Sequence, residues 1–108
     1  MTTPFVAQIR ARADALVLTG GTGVAITVRV EMPETWDTVK AIVSPDTPAL
    51  SLKLAALDAL FPSAEGHEAF VLKFRGWEVL DENASLLDVG AVNGSIFLLT
   101  HRRRQPVR

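Results

Sequence analysis

A chain of 108 residues, 48% hydrophobic and 21% charged, is near the usual size of one domain and can bury a core, which argues against wholesale disorder. It contains no cysteine, and this excludes disulfides, thiol catalysis and cysteine-ligated zinc. Net charge is −1, yet Arg102, Arg103, Arg104 and Arg108 lie in the last seven residues, and without them 7 basic residues face 12 acidic ones. An acidic body with a basic end favours acidic partners and disfavours nucleic acid as the body's ligand.

No apolar run approaches the ~20 residues of a membrane span. The start also lacks the charged-then-apolar layout of a secretory signal. The chain is therefore read as cytoplasmic, without membrane insertion.

Residues 1–23 are expected to form an N-terminal extension, flexible or a short helix. Phe5, Ile9, Ala13, Leu16 and Val17 fall at helical spacing, and Gly20-Gly21-Thr22-Gly23 ends any regular element. The glycines are not a phosphate loop, because no Gly-Lys-Ser/Thr follows them. Ile26 to Met32 alternates strictly, with Ile26, Val28, Val30 and Met32 on one face, the pattern of a half-buried strand. Pro33-Glu34-Thr35 makes a turn, and Trp36 to Val43 returns as a second strand with Val39, Ala41 and Val43 inward.

Ser44 to Pro48 carries a helix-start signal in which Asp46 or Thr47 accepts from the first free amides. The helix covers Ala49 to Leu60 and stops at Phe61-Pro62. Phe70, Leu72 and Phe74 alternate with Val71, Lys73 and Arg75 in a third strand, and Gly76 permits a tight turn. Glu78 to Leu80 is a short fourth strand, and Asn93-Gly94 precedes a fifth over Ser95 to Thr100, with Phe97 and Leu99 inward. The order ββαβββ, with one main helix on a mixed sheet, is an α+β layer pair of the β-grasp type.

Lys53 sits among leucines and alanines on the helix and needs a partner if it is covered; Asp81 and Glu82 are the candidates. Val71, Ile96 and Leu98 should face away from the helix. With Trp77, and flanked by Lys73 and Arg75, they form a candidate apolar binding patch. Thr100 and the arginines Arg102, Arg103 and Arg104 extend that surface. Two separated histidines, His67 and His101, make a poor metal site, and no catalytic acid–base pair or nucleophile motif stands out. No cofactor, metal or small-molecule substrate is expected.

The span from Val24 to Arg104 resembles ubiquitin-like proteins. The resemblance is carried by Phe74-x-Gly76, the acidic loop Asp81-Glu82, Ser85-Leu86-x-Asp88 and a last strand running into arginines. Val43-Ser-Pro-Asp-Thr47 is similar to ubiquitin's strand end and helix start, and Asp81 falls on the loop aspartate that pairs there with the helix lysine. Ile26 to Glu31 also looks like ubiquitin's second strand. That register makes Leu16 to Thr19 strand one and Trp36 to Val43 the helix; it is set aside because Ala49–Leu60 would be a surplus helix and Val39, Ile42 and Val43 are weak helix formers.

The resemblance implies a domain over 24–101 and a basic tail over 102–108. The departures are informative. The isoleucine of ubiquitin's recognition patch falls on Lys73, its patch valine on Thr100 and a branching lysine on Trp77, and no Gly-Gly follows Gly94. The chain is most similar in type to the small bacterial ubiquitin-like proteins of the YukD/EsaB kind, which lack the di-glycine and are associated with type VII secretion. The expected function is a non-enzymatic adaptor that binds partner proteins through the sheet face and the basic tail. The alternative is a modifier or carrier, against which the missing Gly-Gly speaks.

Overall fold

The computed structural model describes residues 15–102. Six strands make one mixed sheet: β1 (Leu16–Leu18), β2 (Ile26–Met32), β3 (Asp37–Val43), β4 (Phe70–Phe74), β5 (Trp77–Glu78) and β6 (Ile96–His101). Two α-helices, α1 (Ala49–Leu60) and α2 (Leu86–Val89), accompany them. The spatial order is β1-β3-β2-β6-β4-β5. β2 and β3 form an antiparallel hairpin, β6 enters parallel beside β2, and β4 pairs antiparallel with both β6 and β5.

Period-two alternation decides which face is buried. Val28, Val30 and Met32 of β2, Val39, Ala41 and Val43 of β3, Leu72 of β4, and Phe97 and Leu99 of β6 all point at α1. They meet Leu52, Ala56 and Leu57 of the helix, and Val79 and Leu86 join the same core. The other face of the sheet carries no helix among the described residues.

Three expectations are corrected here. The helical spacing through Leu16 and Val17 does not give a helix, because Leu16–Leu18 is β1, paired parallel with Ala41 to Val43. A three-residue strand gains nothing locally; it exists because the edge of β3 supplies its hydrogen bonds and Leu16 and Leu18 pack on the core. Phe5, Ile9 and Ala13 of the same spacing lie outside the described residues. Second, Trp36 is not in the strand. It closes the hairpin turn in the left-handed region, φ 54°, and is exposed. Third, neither Asp46 nor Thr47 caps α1. The first amides of the helix donate instead to carbonyls of the acidic loop, Ala49 N–H to Ala84 O (2.9 Å) and Leu50 N–H to Glu82 O (2.8 Å).

Asp46 and its neighbours are used elsewhere. The Asp46 carboxylate accepts from the Thr22 N–H (3.0 Å to Oδ2) and the Thr22 hydroxyl (3.0 Å), and the Gly21 N–H donates to Ser44 Oγ (3.2 Å). A Cβ on Gly21 would stand 1.9 Å from Asp46 Oδ1, so any side chain there displaces the carboxylate. Leu18 O accepts from Ser44 N–H (3.0 Å). The glycine segment is thus a docked connection that holds β1 against β3.

The Thr22 N–H first, and then its hydroxyl, hold the Asp46 carboxyl below the usual carboxylate range. A carboxyl whose folded pKa lies below its unfolded value of about 4 contributes stability above that value and loses it as pH falls through the folded one. Asp46→Ala should therefore speed amide exchange in Leu16–Leu18 at neutral pH. The difference in melting temperature between wild type and variant should shrink as pH falls from about 5 to about 2.5. An undiminished difference across that window contradicts the assignment.

Candidate functional site

The open face of the sheet is laid out by strand register, since residues directly opposite on paired strands share a face. One row runs Lys40, Arg29, Ile96 across β3, β2 and β6. The next runs Thr38, Glu31, Leu98, Lys73 and Glu78 across β3, β2, β6, β4 and β5. Ile96 and Leu98 therefore form an apolar ridge along β6, with Arg29 and Lys40 on one side and Lys73 on the other. Ile96 is 51% exposed and Leu98 half-buried. Beside Ile96 lies a shallow depression of about 370 Å³ lined by Thr27, Arg29, Lys40, Asn93 and Ser95. The turn shaping it is fixed: Asn93 Oδ1 accepts from Thr27 N–H (2.8 Å), and Gly94 N–H donates to Thr27 O (2.7 Å).

Of the residues anticipated from sequence, Ile96, Leu98 and Lys73 come together on this face. Val71 points to the same side but is buried and outside the helix-facing core. Arg102, just past β6, reaches across β4 to Glu78 on β5, with Nη1 3.2 Å from Oε2, and its Nε donates to Glu68 O (2.9 Å). Val71 is buried, so it is not part of a free patch.

Trp77 is also corrected. It stands opposite Phe74, which faces the core and stacks on Phe97 at 4.9 Å between centroids. Trp77 thus lies on the helix side of the edge, 79% exposed, beside a groove lined by Phe74, Val79, Leu80 and Val89. Arg75 goes with it. The residue turns with φ 56°, and its guanidinium carbon sits 5.7 Å from the centre of the Phe74 ring. The Phe-x-Gly turn therefore carries both residues away from Ile96 and Leu98.

Thr100 is engaged by the hairpin turn. Its hydroxyl donates to Glu34 Oε2 (2.5 Å), which also accepts from His101 N–H (3.0 Å). Partial burial pushes the Glu34 carboxyl up, but the bonds from His101 N–H and the Thr100 hydroxyl outweigh it and hold it below the usual carboxylate range. Arg103 and Arg104 lie outside the described residues.

Lys53 is fully buried, and its Nζ lies 2.6 Å from Glu82 Oε2. Of the two candidates Glu82 is the partner, and Asp81, which the resemblance favours, is not. Leu50 N–H pins the Glu82 carbonyl one turn from Lys53, whereas Asp81 Oδ1 accepts from Asn83 N–H (3.0 Å) within its own loop. The pair is structural.

Arg29 and Lys40 were not singled out in the sequence. Each was legible as an outward residue of its strand, but their juxtaposition needs the hairpin register. Like charges directly opposite on paired strands destabilise a sheet, by a few tenths to about 1 kcal/mol. Among the described residues neither makes an ion pair. Lys40→Glu should consequently raise stability by about 0.5 kcal/mol in urea titration; a loss of stability contradicts the repulsion.

No protein-family model matches the chain, and no curated protein matches it. Solved structures do. The ubiquitin-like domain of an Arabidopsis thaliana protein aligns with TM-score 0.62 at 18% identity, over 82% of this chain and 90% of that one. Caldiarchaeum subterraneum ubiquitin aligns with TM-score 0.62 at 13% identity, over 77% and 100%. The UBL domain of Plasmodium falciparum Dsk2 aligns with TM-score 0.59 at 22% identity, over 72% and 99%. At such identities the likeness speaks for architecture alone. With the helix packed on one face of a mixed sheet, it establishes that this chain has the ubiquitin-like fold.

Proposed function

We propose that the chain is a non-enzymatic protein-interaction module that binds partner proteins through the open face of its sheet, assisted by the basic end from Arg102 onward. The observation that carries this reading is the ridge of Ile96 and Leu98, apolar, solvent-accessible and flanked by cations on both sides. Ubiquitin-like domains as a class are protein-binding folds, and exposed apolar residues rimmed by polar ones mark interaction surfaces. Lys73 stands where ubiquitin has its central recognition isoleucine, so the partner differs from ubiquitin's receptors. Among the described residues no helix is long and apolar enough to cross a membrane. A cytoplasmic adaptor of the small bacterial type without a di-glycine is the form this reading takes.

The test is recovery of an N-terminally tagged chain from its own host under native and denaturing conditions, read by gel and intact mass. The reading expects an unmodified chain of 11.7 kDa before the tag is counted, with partners retained only natively and lost in Ile96→Asp. A ladder of heavier species that survives denaturation overturns it in favour of a covalent modifier.

A further inference from the structure

We propose that the partner docking on the open face is an extended acidic peptide segment, whose carboxylates are taken by Arg29 and Lys40 on one side of the Ile96–Leu98 ridge and by Lys73 on the other. The inference rests on the reading of this face as an interaction surface and adds the chemistry of what it receives.

Charge placement carries it. Apart from its arginine-rich end the chain is acidic, with 7 basic against 12 acidic residues. Three of those cations nevertheless gather around one apolar ridge. Arg29 and Lys40 are directly opposite on β2 and β3, an arrangement that costs stability in the free chain. Among the described residues Arg29, Lys40 and Lys73 make no ion pair. The neighbouring carboxylate Glu78 is taken by Arg102, and Glu31 is the remaining anion of that row. A bound carboxylate relieves the Arg29–Lys40 repulsion, so complex formation gains what the isolated sheet gives up.

The shape selects the partner's conformation. Ile96 and Leu98 are two residues apart on one strand and face the same way. An extended segment crossing β6 sets an apolar side chain on that ridge and, two residues to either side on the same face, carboxylates over Arg29 and Lys40 and over Lys73. Nucleic acid fits less well. The open face carries no aromatic side chain in either row, so there is nothing for a base to stack on.

The test is a nuclear magnetic resonance titration of the full chain with three probes. These are a synthetic peptide repeating Glu-Ser-Leu-Ser, which puts glutamate and leucine on one face when extended, the same peptide with glutamine for glutamate, and an oligothymidylate. The expected result is shifts at Arg29, Lys40, Lys73, Ile96 and Leu98 with the acidic peptide. The glutamine peptide and the Arg29→Glu/Lys40→Glu double variant should each bind at least ~10-fold more weakly. The melting curve of the double variant shows that it still folds. Equal binding of both peptides on Ile96 and Leu98, indifferent to the double variant, overturns the acidic partner and leaves the face as an interaction surface. Shifts confined to other surfaces, or no binding of either peptide, overturn both. Tighter binding of the oligothymidylate overturns the peptide in favour of nucleic acid.

Discussion

Glu82→Ala should destabilise the chain by about 3 kcal/mol, the lower end of what removing one member of a buried ion pair costs. Lys53 is fully buried, and Glu82 Oε2 is the hydrogen-bond acceptor its ammonium has among the described residues. The variant strands a buried charge between α1 and the acidic loop, where desolvation is no longer offset. The lower end applies because the Glu82 side chain is 21% exposed, so water already screens the pair on one side. The double variant Lys53→Met/Glu82→Leu should recover most of the loss, since apolar residues of similar volume replace buried ion pairs at little cost. Urea titrations of both variants check this. A Glu82→Ala cost under about 1 kcal/mol would mean the ammonium finds water or another acceptor.

Phe97→Ala should cost about 4 kcal/mol. Phe97 is fully buried on the strand that joins the two halves of the sheet, parallel to β2 and antiparallel to β4. Its ring stacks on Phe74 at 4.9 Å with 26° between planes. Truncation loses the transfer energy of the ring and leaves a cavity that strands on both sides hinder from closing. Leu98→Ala, one residue along and half-buried on the opposite face, should cost less than half as much. Comparable costs for the two would mean the faces of β6 are assigned the wrong way round.

The core was legible because alternation in β2, β3, β4 and β6 is a local signal; Val28, Val30, Leu72, Phe97 and Leu99 all face the helix as their spacing requires. Local patterning fails where distant residues decide. Leu16–Leu18 matches a helical wheel, and becomes a strand through pairing with β3, more than twenty residues away. Val71 alternates outward correctly but is buried, and the Arg102–Glu78 pair that spans its strand is made by a residue from beyond β6. Trp77 was assigned to the open face, and the turn through Arg75 and Gly76, both at positive φ, sets it opposite Phe74 instead. Lys53 was assigned to the right loop, with Asp81 and Glu82 as candidates; the resemblance favours Asp81, and the backbone bond from Leu50 to Glu82 decides for Glu82. Arg29 and Lys40 show the same limit, since each strand gives a direction and only the register brings the charges together.

The central claim is that the open sheet face binds a protein partner non-covalently, and site-specific photo-crosslinking in the native host tests it most directly. A benzophenone side chain is placed singly at Ile96, at Trp77 on the helix-side edge, and at the exposed Leu87 of α2. Light should convert the Ile96 variant into a discrete higher-mass adduct and leave the other two largely unchanged. Adducts at Trp77 or Leu87 with none at Ile96, or heavier species at Ile96 formed in the dark, would contradict the claim.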